Sequence, residues 1–256
     1  MLEGKYVEIE GMRLYYEKYS TGSDKSIVLI HTAGTDGRMW REFAELLSKN
    51  YTIYVPDLPG HGKSDSFPRQ ETIGIKIEDY ANIIKKFLEE LNLMEVIVIG
   101  CSIGGDISLL LSSIAQDRLS LSIVVEAAAI TETFTPEQLV AIDPSDTFKT
   151  YSYCGRNTKK DRIEHIIWIK STNNPKIYLQ DLKAWNSFDV RKTLGNIEIQ
   201  TILIRGIDDP FITTDMIKIT EKFLKNSKTI NLEGFGHYPM TEDPEAFANF
   251  VIKSIK

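Results

Sequence analysis

Short runs of Val and Ile, apolar at nearly every position, alternate along this chain with longer stretches whose apolar residues recur at helical spacing. Strands of that kind are covered on both faces, and parallel strands need a crossover between them, so the alternation predicts an α/β fold on a mostly parallel sheet flanked by helices. The strand runs fall at residues 26–31, 52–57, 96–100, 122–127, 201–205 and 228–232, after a hairpin-like pair, 6–10 and 12–18, around Gly11. Helical periodicity covers 38–48, 77–91, 103–115 and 214–224, and a last helix is expected over 244–255 with Asp243 as its cap. From 130 to 194 the alternation stops. Pro136, Pro144 and Pro175, scattered charges, and the aromatics Phe134, Phe148, Tyr151, Tyr153, Trp168, Tyr178, Trp185 and Phe188 take its place. This stretch reads as a helical cap, 130–194, inserted into a core made of 1–129 and 195–256, its aromatics holding the small cap together, with the lining of an apolar pocket as the alternative.

Charge and cysteine usage narrow the function classes. Thirty Lys+Arg against 36 Asp+Glu leave a net charge of -6, which repels a polyanion, so no nucleic-acid partner is expected. No apolar run approaches the ~20 residues of a membrane span. The start, Met1 to Tyr6, carries no signal-peptide pattern, and the expected setting is cytoplasmic. Cys101 and Cys154 are then expected as two free thiols, Cys101 buried in the core. No His/Cys/carboxylate cluster has metal-ligand spacing and no glycine-rich segment fits a phosphate loop, so neither metal nor cofactor is expected. Lys149, Arg156, Lys159, Lys160 and Arg162 read as a solvated basic surface.

The chemistry concentrates at Gly100-Cys101-Ser102-Ile103-Gly104-Gly105, where a strand ends and a helix begins. A serine on so sharp a turn takes a strained backbone conformation, and the glycines two residues to either side let neighbouring chains approach. Ser102 is thereby raised above the sheet, and the helix starting at Ile103 aims free amides at the same spot. A serine hydroxyl needs a base, and four histidines are available. His237, held in Gly234-Phe235-Gly236-His237-Tyr238-Pro239 after the last strand, is the candidate. His61 reads as turn surface, His165 as cap packing and His31 as a strand-end hydrogen-bonding group. The base needs a carboxylate, and Gly206-Ile207-Asp208-Asp209-Pro210 supplies one between serine and histidine. Asp209 is preferred, Asp208 stands next, and Glu126, at the end of a strand, is the outside candidate.

These motifs resemble the alpha/beta-hydrolase superfamily over essentially the whole chain. Ser102 matches the nucleophile, Asp209 the acid and His237 the histidine, while Asp57 to Asp65 is similar to the family's Asp-x-x-Gly-x-Gly-x-Ser turn. The resemblance implies an oxyanion hole from the backbone N–H groups of Ala33 and Ile103. Thr32 departs from the family's usual glycine, its hydroxyl expected to bond within the turn. Gly34 to Trp40 resembles the corresponding stretch of enol-lactonases that open oxoadipate enol-lactones, with Trp40 expected to pack its helix on the sheet. The implied activity is that of a serine carboxylic ester hydrolase acting on small esters or lactones through an acyl-enzyme. Carbon–carbon bond hydrolysis, perhydrolysis and a slow-turnover ligand receptor are the alternatives on the same residues. Dehalogenation is disfavoured, because that branch carries an aspartate where Ser102 stands.

Overall fold

The computed structural model describes residues 1–68, 74–131, 135, 147–186 and 188–255. Phe134, Pro136 and Pro144 lie outside those residues, as does the side chain of Phe148. Eight strands form one sheet: β1 (Leu2–Ile9), β2 (Met12–Tyr19), β3 (Ser26–Ile30), β4 (Thr52–Pro56), β5 (Val96–Cys101), β6 (Leu119–Val125), β7 (Gln200–Gly206) and β8 (Ser227–Leu232), in the order β1-β2-β4-β3-β5-β6-β7-β8. β1 and β2 are the antiparallel hairpin, turned at Glu10-Gly11 with both residues at positive φ, and β2 pairs antiparallel with β4. All pairings from β4 through β8 are parallel.

Pleat alternation divides the core. Along β5, Val96 and Val98 join one apolar cluster while Ile97, Ile99 and Cys101 join the other. Helices α2 (Ile77–Glu90) and α3 (Ile103–Ile114) pack on the first face, and α1 (Arg41–Leu47) lies on the second. The expected helix over 38–48 is split: Gly37–Trp40 is a tighter 3-10 turn, started by Asp36, whose carboxylate accepts the Arg38 N–H at 3.0 Å. Trp40 is fully buried, as expected. The stretch between β6 and β7 contains α4 (Thr147–Tyr153), α5 (Lys160–Ser171), α6 (Pro175–Asn186) and α7 (Arg191–Leu194), and an isolated antiparallel bridge, Ile130 with Asp189, sits at its base. Helices α8 (Thr214–Phe223), α9 (Pro239–Glu242) and α10 (Pro244–Ile255) complete the chain, α10 packing with α1 through Phe43 and Phe247 on the second face. The Asp243 carboxylate accepts the Ala246 N–H at 3.0 Å and so caps α10. Among the described residues no helix is long and apolar enough to cross a membrane.

The strand order sets where chemistry can sit. From β3 the chain moves to β4 on one side and then returns to β5 on the other, so the loops leaving β3 and β5 diverge at a switch point. Ala33 follows β3 and Ile103 follows β5, and the switch brings them together at the carboxyl edge of the sheet.

Candidate active site

Ser102 sits between β5 and α3 at φ 57, ψ -125, a conformation that non-glycine residues adopt only when surroundings impose it. The imposition is steric. A Cβ at Gly100 would lie 1.9 Å from the Gly104 carbonyl oxygen, and one at Gly104 would lie 2.3 Å from that of Ile30. Only glycines let α3 start this close to β3 and β5. The Ser102 N–H donates to Val125 O at 2.9 Å and its carbonyl accepts from Gly105 and Asp106, so the backbone is fixed on both sides of a residue that lines the cavity.

Of the residues expected to act with Ser102, His237, Ala33 and Ile103 line that cavity, and Asp209 reaches it through His237. His237 Nδ1 lies 3.0 Å from Asp209 Oδ2, both side chains nearly inaccessible. The second Asp209 oxygen accepts the Phe211 N–H at 2.8 Å. Burial works to raise the Asp209 carboxyl, but the His237 ring, Glu126 and the Phe211 amide outweigh it and hold the group below its usual range. Asp208 points away and pairs with Arg156 at 3.0 Å. Glu126 stands behind Asp209 at φ 46, fully buried, one oxygen accepting the Gly206 N–H. Desolvation, reinforced by the charge of Asp209, drives its pKa well above the carboxylate range, and the carboxylate that meets the His237 ring is that of Asp209.

Glu242 holds the His237 loop, and no motif in the sequence singled it out. One of its oxygens accepts from Gly155 N–H at 2.9 Å, Gly236 N–H at 2.9 Å and Thr158 Oγ1 at 2.7 Å, and the other from Tyr238 N–H at 2.9 Å. The His237 N–H donates to Tyr153 O at 2.8 Å. The loop is therefore tied to the segment joining α4 to α5.

The loop after β3 is fixed by a second network. Thr32 O accepts from Thr35 Oγ1 at 2.9 Å and lies 2.9 Å from His31 Nδ1, which must carry the ring proton because Nε2 accepts the Leu58 N–H at 3.0 Å. Carbonyl and N–H point oppositely across a trans peptide, so pinning Thr32 O on one side turns the Ala33 N–H to the other. The Ala33 and Ile103 N–H groups donate to none of the described residues, and both residues line the cavity. The Thr32 and Thr35 hydroxyls lie 3.0 Å apart, so Thr32 bonds within its turn as expected. Burial, with the neighbouring charge of His61, lowers the His31 pKa to about 4.

His61 corrects a sequence expectation: it is buried at 2%, not turn surface. Its Nε2 lies 2.8 Å from Asp181 Oδ2 and its Nδ1 3.1 Å from Pro59 O, two acceptors that call for a proton on each nitrogen. Desolvation works against that charge, but Asp181 and the Pro59 carbonyl outweigh it and raise the His61 pKa. Asp181 comes from α6, where the sequence reading singled out only Tyr178 and Trp185, as aromatics holding the cap together. Tyr178, Leu182 and Trp185 from that helix line the cavity together with Phe211, Ile212, Thr32, Tyr238, His237 and Ser102. Positions 178, 181, 182 and 185 follow the i, i+3, i+4, i+7 rule, so one helix face was the available signal. His165, in α5, stacks on the half-exposed Trp168 at 5.9 Å and takes no part in the site. Arg156 and Arg162 of the basic stretch are spent on Asp208, Glu233 and Glu42. Cys101 and Cys154 are both free and buried. Among the described residues no three His, Cys, Asp or Glu side chains are grouped to hold a metal ion.

Comparison with known proteins agrees with this architecture. A family model described as the alpha/beta hydrolase fold matches residues 25–166, more than half of the chain. The enol-lactonase of Burkholderia xenovorans superposes with a TM-score of 0.86 at 20% identity, covering 98% of this chain and 99% of that one. An esterase from Exiguobacterium antarcticum gives 0.86 at 19% identity, covering 99% of both. In sequence, the chain is 22% identical over 261 residues to the pimeloyl-(acyl-carrier protein) methyl ester esterase of Vibrio cholerae, covering 94% of this chain and 98% of the relative. It is also 22% identical over 272 residues to a 2-hydroxy-6-oxononadienedioate/2-hydroxy-6-oxononatrienedioate hydrolase of Escherichia coli, covering 94% and 90%. Uncharacterized proteins of Mycobacterium bovis and Mycobacterium tuberculosis match at 31% identity over 111 residues, and there the alignment spans only 31% of the relative's length.

Proposed function

The chain belongs to the alpha/beta hydrolase fold family, and from that premise we propose that it is a serine hydrolase cleaving carboxylic esters or lactones through an acyl-enzyme. The observation that carries the reading is the His237–Asp209 pair at 3.0 Å opening on the same cavity as Ser102. Ser102 Oγ attacks the acyl carbon while His237 Nε2 takes its proton. Asp209 accepts from Nδ1, which leaves Nε2 free to act as base and stabilises the imidazolium that forms. The carbonyl oxygen, now an oxyanion, accepts from Ala33 and Ile103, and collapse expels the alcohol oxygen, which receives the proton from His237. Water, deprotonated by His237, then attacks the acyl carbon, and the carboxylic acid leaves with Ser102 restored. The mechanism requires Ser102 Oγ and His237 Nε2 to come within hydrogen-bonding reach as substrate fills the cavity, a contact that often tightens only in the complex.

The apolar walls Tyr178, Leu182, Trp185 and Phe211 favour an apolar acyl or alcohol group, and the helices of 130–194 serve as the cap of a core formed by 1–129 and 195–256. The test is a panel of aryl esters and lactones of graded chain length with wild type and Ser102→Ala. Turnover should fall by about 10^4-fold or more in the variant, and retained turnover would end the reading. The relative named as a dienedioate hydrolase favours one second reading, carbon–carbon bond cleavage on the same residues. A vinylogous diketone in the panel, turned over faster than every ester, would establish it instead.

A further inference from the structure

Asp181 is the one carboxylate of α6, and both of its oxygens are engaged by neighbouring elements. It is fully buried, and Oδ2 accepts the Gly34 N–H at 2.8 Å and a His61 Nε2–H at 2.8 Å, while Oδ1 accepts the Tyr80 hydroxyl at 2.7 Å. Tyr80 is oriented in turn by Gln180 Nε2 at 2.9 Å. Three separate elements, the β3 loop, the turn after β4 and helix α2, thus meet on one side chain of α6.

Gly34 is the critical partner. It has φ 58, and a Cβ there would lie 2.3 Å from Tyr178 Cδ2, so the loop is pressed under α6 in a left-handed conformation with its N–H enclosed. The Ala33–Gly34 peptide follows directly on the peptide whose N–H faces the cavity. Thr32 O is held from the core side by His31 and Thr35, and Gly34 N–H is held from the helix side by Asp181. Ala33 is stretched between the two holds.

Resting on the serine-hydrolase reading, we propose that Asp181 is a positioning residue for the oxyanion loop: by gripping Gly34 N–H it sets the Ala33 N–H where the developing oxyanion forms. It touches no reacting atom and acts through the loop. An enclosed N–H that loses its acceptor seeks another, and rotation of the Ala33–Gly34 peptide to find one would swing the neighbouring amide off its target.

The experiment compares Asp181→Ala and Asp181→Asn with wild type on the full chain in three readouts: kcat and KM for an aryl ester, the rate at which a fluorophosphonate labels Ser102, and amide hydrogen exchange at Gly34. Misplacing one oxyanion donor predicts a fall of roughly 10- to 100-fold in kcat and in labelling rate for Asp181→Ala, with KM changed less than about threefold. Gly34 exchange should accelerate. Asp181→Asn, which keeps an oxygen for Gly34, should recover part of the rate. Should Asp181→Ala fail to fold, Tyr80→Phe frees Oδ1 alone and should lower kcat by a few-fold with KM unmoved. The proposal is overturned if kcat and labelling stay within twofold of wild type while Gly34 loses its protection, or if the whole effect lies in KM. Ester turnover surviving Ser102→Ala would sink the underlying reading, and this proposal with it, whereas normal loss on Ser102→Ala beside an inert Asp181→Ala sinks the proposal alone.

Discussion

The two backbone N–H groups proposed to meet the oxyanion are held in place by opposite means. At Ile103 the elbow is shaped mainly by backbone sterics: Gly100 and Gly104 admit close carbonyls, Ser102 takes φ 57, and its N–H and carbonyl are held by main-chain groups. At Ala33 the loop is shaped by polar side chains drawn from across the chain, namely His31, Thr35, His61, Tyr80 and Asp181. A turn made of steric exclusion is written locally and does not titrate. A loop made of hydrogen bonds is written in scattered pieces, and two of those pieces change charge with pH.

The largest way to break the comparison is Gly104→Ala. The added carbon meets main-chain oxygens of Ile30 at 2.3 Å and His31 at 2.7 Å, which have no flexible end to move. Destabilisation of about 4 kcal/mol or more is expected in urea unfolding, against about 1 kcal/mol for Gly11→Ala, where only the positive φ is at stake. On the loop side, acid should do what substitution does at the elbow. His31 binds its proton in the unfolded chain near the ordinary imidazole value but in the folded chain only near a pKa of about 4. Between those values the unfolded state holds more protons, so stability falls as pH drops, by roughly 3 kcal/mol over the whole window. His31→Gln, whatever it costs at neutral pH, should lack that slope in unfolding titrations. His61, its pKa raised, has the opposite sign and gives up its contribution as pH rises.

Glu242→Gln probes the third anchor, where one carboxylate takes four donors. An amide sets its own NH2 against some of those donors, and a loss of about 1–3 kcal/mol with a matching fall in kcat is expected from thermal melts and ester kinetics. The smallest effect belongs to Thr32→Gly. Thr32 O is held by His31 and Thr35 whatever side chain stands at 32, so kcat should stay within about threefold of wild type.

That contrast explains what could be read from the sequence. The sheet, helices α2, α3, α8 and α10, and the positions of Ser102 and His237 beside one cavity were legible because each is announced by neighbours in the chain: an apolar run, a glycine two residues away, a proline after a loop. Within the pair Asp208-Asp209 the preference for Asp209 had little local support, since adjacent residues differ only in direction, and here one faces Arg156 and the other His237. His61 was misread for a stronger reason. Flanking glycines mark a turn, and turns are usually wet, but its partner lies 120 residues on in α6. Gly34 and Asp181 are 147 apart. No local rule reaches across such distances, although an aspartate set in the stripe of Tyr178, Leu182 and Trp185 was a polar group in a face that should have none.

That stripe has a consequence for how such an enzyme can change its diet. The helix whose large side chains shape the room for substrate is also the one whose acid steadies the loop beneath. Exchanging wall residues one at a time can retune which molecule fits, while grafting in a whole foreign helix would discard the steadying group along with the old walls. On the proposed reading, selectivity and speed are inherited on a single segment, and an evolving lineage would have to alter the first around a fixed 181.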